Sequence, residues 1–257
     1  MARMADPTDP IAPPSMMQLL LESRAIGEMG AFFAAMPWLR LAPRGDGHHV
    51  LVLPGLATGD ASTLALRGFL TDRGYAVHGW GLGRNNGPRS DLYDRMAQRL
   101  RSLHEQSGHK VSLIGWSLGG VYARELARKA PHEVRLVVTL GSPIAGHPKA
   151  TNAWRLYELV SGRKSADHPV RAARRPPPPV PTTSIYSRSD GVVAWQCSVE
   201  LPGPLTENIE VEASHLGLGH HPAVLYAIAD RLAQPEDAWR PFDRGRFGAS
   251  IYPDPGR

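Results

Sequence analysis

A single cysteine, Cys197, stands in a chain of 257 residues, which excludes an internal disulfide framework and any zinc site built from several thiolates. Lysine is nearly as scarce. Only Lys110, Lys129, Lys149 and Lys164 occur, so most of the 29 basic side chains are arginines scattered along the chain. Aromatic residues, 7% of the total, do not interleave with these arginines in a stripe, and the net charge of +5 therefore outlines no nucleic-acid surface; no nucleic-acid partner is expected. Long apolar runs are missing too. Met16 to Leu21 is broken by Gln18 and stopped by Glu22, too short for a signal peptide or a spanning helix. The expectation is a soluble, cytoplasmic protein. What the chain does have is 42% apolar residues, enough for a sizeable core.

The apolar residues are organised. From residue 48 onward short β-rich runs alternate with helical patterns, the rhythm of a mostly parallel six-stranded sheet with helices on both faces. Strands are predicted at 49–53, 76–80, 110–114, 133–140, 183–186 and 208–211. Helices are predicted at 61–72, 91–103, 121–129 and 223–232, where apolar residues recur at turn spacing. Residues 1–47 read as an N-terminal helical segment packed on the core, although 16–29 and 31–41 are also apolar enough to lie on a membrane surface. Residues 48–233 form the main domain, and 234–257 read as surface coil. An insertion at about 145–181 breaks the sheet rhythm, with a helical stretch at 153–160 and a stiff proline run at 176–179. The glycine-rich 81–88 stretch has the wrong spacing for a dinucleotide fingerprint and reads as a surface loop.

One strand runs through Gly115-Trp116-Ser117-Leu118-Gly119 directly into a helix. A serine at so sharp a strand-to-helix turn is held in a strained conformation, with its hydroxyl above the sheet edge and the helix's free N–H groups facing it. The Leu118 amide is then one candidate oxyanion donor. Pro54-Gly55, ending the first strand at the same edge, offers the Leu56 amide as a second.

A hydroxyl needs a base, and the base needs an orienting carboxylate. The fifth strand finishes just before Asp190, and the sixth is followed by His215, giving the chain order Ser117, Asp190, His215. His220, His221 and His147 compete for the role of base, and Asp167 is a poor rival to Asp190. Placement just past a strand end favours His215 and Asp190.

With these residues go Leu140-Gly141-Ser142-Pro143, Ser189-Asp190-Gly191-Val192-Val193 and Ser214-His215-Leu216-Gly217-Leu218. Over about residues 48–233 the set resembles an α/β-hydrolase of the bacterial lipase and esterase group. The resemblance implies a catalytic Ser117, His215 and Asp190, with the Leu56 and Leu118 amides as oxyanion hole, and an α/β-hydrolase fold with a short lid insertion. It departs from the group in having Pro54-Gly55 where His-Gly is common, and in lacking the antiparallel strands that open larger members.

Hydrolysis of a small-molecule or lipid ester, without metal or organic cofactor, is the expected activity. A thioesterase or acyltransferase with the same residues, and a non-catalytic binding protein on the same fold, are the alternatives. Trp154, Leu156, Tyr157 and Leu159 of the insertion either line an acyl pocket or simply pack the insertion down.

Overall fold

The computed structural model describes residues 11–146, 148–164, 176–248 and 250–254. Six strands, β1 (His49–Leu53), β2 (Ala76–Gly79), β3 (Val111–Trp116), β4 (Val134–Leu140), β5 (Thr182–Tyr186) and β6 (Thr206–Glu210), form one sheet in the order β2-β1-β3-β4-β5-β6. All five pairings are parallel. Parallel strands need crossovers, and the first four run through α3 (Leu64–Asp72), α4 (Leu92–Ser107), α5 (Leu118–Lys129) and the insertion with α6 (Trp154–Ser161), the fifth through a 3-10 turn (Trp195–Cys197).

The period of two along β1 divides its apolar residues between two cores. Val50 and Val52 join a cluster with Leu66 and Phe69 of α3 and with Val224, Leu225 and Ile228 of α7 (Pro222–Leu232). Leu51 and Leu53 join the opposite cluster, with Leu92, Met96 and Leu100 of α4 and Leu126 of α5. Both faces are covered, so a central strand can be apolar at every position. Each of these four β1 side chains is at most 1% exposed, a burial that contributes about 1.5–3 kcal/mol per residue.

Ahead of the sheet lie α1 (Met16–Leu20), a 3-10 turn (Leu21–Arg24) and α2 (Ala25–Leu39). A capping box starts α1: the Ser15 hydroxyl accepts from the Gln18 N–H, and the Gln18 side chain accepts from the Ser15 N–H. Phe32 and Leu39 bury against the α3–α7 face, whereas Met16, Met17, Leu20, Ile26 and Phe33 remain exposed.

Two sequence expectations need correction. The 81–88 stretch is not merely a surface loop, because Asn85 is fully buried and clasps the turn after β1. Its side-chain amide donates to the Pro54 carbonyl at 2.9 Å, while its backbone accepts from Ala57 and donates to Thr58, each at 2.7 Å. Among the described residues of the C-terminal stretch the only regular element is a short 3-10 turn, Arg244–Arg246, but the stretch does not lie on the surface throughout. Phe242 and Tyr252 are buried, and Phe247 stacks among them and Tyr226. The Tyr252 hydroxyl donates to the Ala223 carbonyl at 2.8 Å, and buried Glu207 accepts from the Phe242 N–H and from Arg231.

Candidate active site

The carboxyl ends of the parallel strands open onto one rim, where ligands bind in sheets of this type. Ser117 sits there, between the last residue of β3 and the first of α5, with φ 52° and ψ −120°. Among the described residues only Ala57 shares a positive φ without being glycine, and it lies on the turn that Asn85 clasps. Such backbone costs on the order of 1–3 kcal/mol per residue and persists only where its surroundings hold it. Around Ser117 the Leu140 carbonyl accepts its N–H at 2.8 Å, and α5 presses close against the sheet. A Cβ at Gly119 would collide with the Leu53 carbonyl, which is why this position must lack one.

His215 lies beyond β6, on a loop that the Trp116 indole N–H holds through the His215 carbonyl at 3.1 Å. Its Nδ1 is 2.7 Å from Asp190 Oδ2. Asp190 is fixed in turn, since its Oδ1 accepts the N–H groups of Val192 and Val193, each at 2.8 Å. A carboxylate partner makes Nδ1 the donor, leaving Nε2 as the acceptor of the neutral ring. Burial alone would push the imidazole down, but the charge and hydrogen bond of Asp190, with Glu22 beyond, outweigh it and raise His215 above the ordinary histidine value.

A cavity of about 180 Å³ is lined by Ser117 and His215 together with Leu56, Trp116, Leu156, Val192 and other neighbours. The structure therefore brings Ser117, His215 and Leu56 to one space and joins Asp190 to it through His215. Leu118 contributes no side chain there, being buried in the α4–α5 core. As the first residue of α5, however, its N–H has no acceptor within the helix. The Leu56 N–H meets no protein acceptor among the described residues.

Of the competing histidines, His220 turns its Nε2 to the Ala25 carbonyl at 3.1 Å, and His221 occupies the N-cap position of α7, where its backbone carbonyl accepts the Leu225 N–H. His147 and Asp167 lie outside the described residues. From the insertion, Ala153 and Leu156 line the cavity, Tyr157 packs inward, and Leu159 is exposed. The insertion thus both lines the cavity and packs against the domain.

Two other features could mislead. A groove of about 510 Å³, larger than the cavity at Ser117, lies at the opposite end of the strands beside Lys110, Arg135 and Trp239, and contains no candidate nucleophile and base pair. At that end Ser112 Oγ also lies 2.8 Å from His48 Nε2, and His48 Nδ1 lies 2.5 Å from Asp46 Oδ1. This second serine–histidine–aspartate chain lacks everything else catalysis needs. Ser112 is fully buried within β3, where the register against β4 shifts, it lines neither the cavity at Ser117 nor the groove at the opposite strand ends, and burial pushes the His48 imidazole down.

Sequence reasoning missed Asn85 and Glu22, both buried polar side chains that bind backbone groups near the site. Each has polar neighbours, Asn85 between Arg84 and Asn86 and Glu22 before Ser23 and Arg24, so no local signal singled it out.

No protein-family model matches the chain. Over 62 residues it is 37% identical to the pimeloyl-[acyl-carrier protein] methyl ester esterase of Sodalis glossinidius (strain morsitans), a match covering 24% of this chain and 23% of that protein. The chain thus spans about a quarter of that relative. Among solved structures, Bacillus licheniformis lipase superposes with TM-score 0.59 at 14% identity, covering 76% of this chain and 95% of the lipase. Lipase B of Aspergillus fumigatus gives TM-score 0.53 at 16% identity, covering 74% of this chain but only 54% of its own. At such identities the likeness concerns architecture, and with the all-parallel sheet and the strand-to-helix turn at Ser117 it identifies the chain as having the α/β-hydrolase fold.

Proposed function

We propose that the protein hydrolyses carboxylic esters through an acyl-enzyme on Ser117. The observation that carries this reading is the Asp190–His215 hydrogen bond, 2.7 Å long, ending on the cavity that Ser117 also lines. His215 Nε2 takes the Ser117 proton as Oγ attacks the ester carbonyl. The N–H groups of Leu56 and Leu118 receive the oxyanion, and Asp190 stabilises the imidazolium. His215 then gives the proton to the leaving alcohol, and water, activated by the same imidazole, releases the acid. This chemistry calls on no metal or organic cofactor.

Apolar Leu56, Trp116, Leu156 and Val192 suit an acyl chain. A cavity of about 180 Å³ falls below the roughly 300–1,000 Å³ of sites that enclose drug-sized ligands, which favours short acyl groups. On this reading p-nitrophenyl butyrate and hexanoate are hydrolysed with kcat/KM at least about tenfold above the palmitate, and a fluorophosphonate labels Ser117. Absence of both labelling and turnover in folded protein would instead favour a binding role. Acyl-thioesters and an added alcohol acceptor in the same panel separate esterase from thioesterase and acyltransferase.

A second reading, an ester presented at a lipid surface, is favoured by exposed Leu156 and Leu216 at the cavity and by exposed Met16, Met17 and Leu20 on α1. Faster turnover of emulsified long-chain esters than of soluble short ones would select it.

The pH dependence has a defined sign. Protonated His215 cannot accept the Ser117 proton, so kcat/KM falls as pH drops through its pKa. Because that pKa is raised, the acidic limb has its midpoint above 6.5, the ordinary histidine value. A pH series of initial rates at low substrate checks this, and a midpoint below 6.5 contradicts it.

A further inference from the structure

The mechanism leaves one buried acid beside the site unused. Glu22, in the 3-10 turn between α1 and α2, is 5% exposed although it precedes every strand of the sheet. Its Oε1 accepts the N–H of Gly191 at 2.7 Å and the N–H of His215 at 2.9 Å, while Oε2 accepts the N–H of Leu216 at 2.9 Å. One carboxylate therefore ties the residue that follows Asp190 to the backbone of His215 itself. A buried carboxylate is costly unless its lone pairs are met, and here backbone donors meet them.

The surrounding residues dock the same segment onto the same two loops. The Gln18 side chain donates to the Arg188 carbonyl at 3.2 Å, and the Gln18 carbonyl passes so near Gly191 that a Cβ there would run into it. Arg24 donates to the Ser189 carbonyl and hydroxyl, at 3.1 and 2.6 Å. Glu28 accepts the Ser214 N–H at 2.8 Å and its hydroxyl at 2.5 Å. Arg24 also spans both loops, since its guanidinium lies 3.7 Å from Glu212, but of these groups only Glu22 accepts from the base's own backbone.

We propose that Glu22 is a positioning residue for ester hydrolysis, holding the Asp190 loop and the His215 loop in the register that lets the imidazole meet both Asp190 and Ser117. This rests on the catalytic roles given above to Ser117, His215 and Asp190. Two consequences differ from those of a simple structural anchor. Loss of register lowers turnover more than substrate binding, because Leu56, Trp116 and Leu156 still hold the acyl group. Loss of the Glu22 charge also makes the imidazolium easier to deprotonate. The other charged or titratable groups packed around the His215 loop are Asp190, the Arg24–Glu28 pair, Glu212, His220 and His221, and all of them stay in place in the variants below.

The test compares full-length wild type, Glu22→Gln and Glu22→Asp on p-nitrophenyl butyrate across pH, with rates expressed per fluorophosphonate-titratable Ser117. Gln keeps the volume but turns an NH2 toward backbone N–H groups. It should lower kcat by about 100-fold, as sub-ångström to ångström misplacement does, leave KM within about threefold, and move the acidic limb to lower pH. Asp keeps the charge on a shorter stem and should lose less kcat with the limb unmoved. A wild-type kcat in Glu22→Gln overturns the proposal, and so does a lowered kcat with an unshifted limb. If Glu22→Gln does not fold, a wild-type kcat in Glu22→Asp overturns it, and a reduced kcat with the limb retained supports it. Wild-type protein that neither labels nor turns over marks failure of the hydrolase reading itself; labelled, active wild type with indifferent Glu22 variants marks failure of this proposal alone.

Discussion

Ser117→Ala should lower kcat on a soluble ester by about a millionfold, the scale on which removing a serine nucleophile abolishes acyl transfer, while circular dichroism and the melting temperature stay close to wild type. Alanine deletes only Oγ. It keeps the Cβ, so it occupies the φ of 52° at the same backbone cost as serine. Ser117→Gly sharpens the expectation, because glycine enters that region freely and should relieve about 1–3 kcal/mol of strain. It should therefore melt a few degrees higher while being as inactive as the alanine variant. An alanine variant with a tenth or more of wild-type turnover would assign the chemistry to another residue.

Asp190→Asn should cost about 10⁴-fold in kcat near neutral pH with the fold intact, the magnitude associated with a histidine held in the wrong tautomer. The local hydrogen bonds make the outcome unusually definite. Oδ1 of Asp190 accepts from both Val192 and Val193, so an asparagine must keep its carbonyl oxygen on that side. Its NH2 group then faces His215 Nδ1, where the aspartate oxygen stood at 2.7 Å. Turning the amide over would set the NH2 against two N–H donors, so this escape is closed. Nδ1 becomes the acceptor, the proton moves to Nε2, and the ring can no longer take the Ser117 proton. Activity within tenfold of wild type, measured as kcat on the same ester, would contradict both the tautomer assignment and the role of Asp190.

The parts of the fold that were legible in the sequence are those where one local pattern has one structural solution. Val50 to Leu53 is apolar at every position because both faces of a central parallel strand are covered, and the strand appears where the run does. Ser117 was legible because the chain must turn sharply between β3 and α5 and the neighbouring glycines allow it. Asp190 and His215 follow strand ends and so reach the same rim. The pieces that escaped act across long separations. Asn85 looks like any loop asparagine until Pro54, Ala57 and Thr58 are seen around it. Glu22 could be read only as the charge that ends an apolar run, since its partners lie 169 to 194 residues away. Phe242, Phe247 and Tyr252 are too sparse in a proline- and glycine-containing stretch to show periodicity, and their burial depends on α2 and α7 meeting them.

The distance in sequence between Glu22 and its partners also bears on how the protein is made. The turn that carries it leaves the ribosome well before the N–H groups it needs, which belong to residues 169 to 194 positions later. At about 5–20 residues per second, translation separates the two by roughly 10–40 s. Throughout that interval the leading segment has no docking site for its acid, and the apolar side of α2 has no α7 to cover it. Contacts that far apart also close slowly. On the hydrolase reading proposed above, a nascent chain that has not yet released residue 215 lacks the base, so ester hydrolysis should appear abruptly once that residue is available rather than in proportion to chain length.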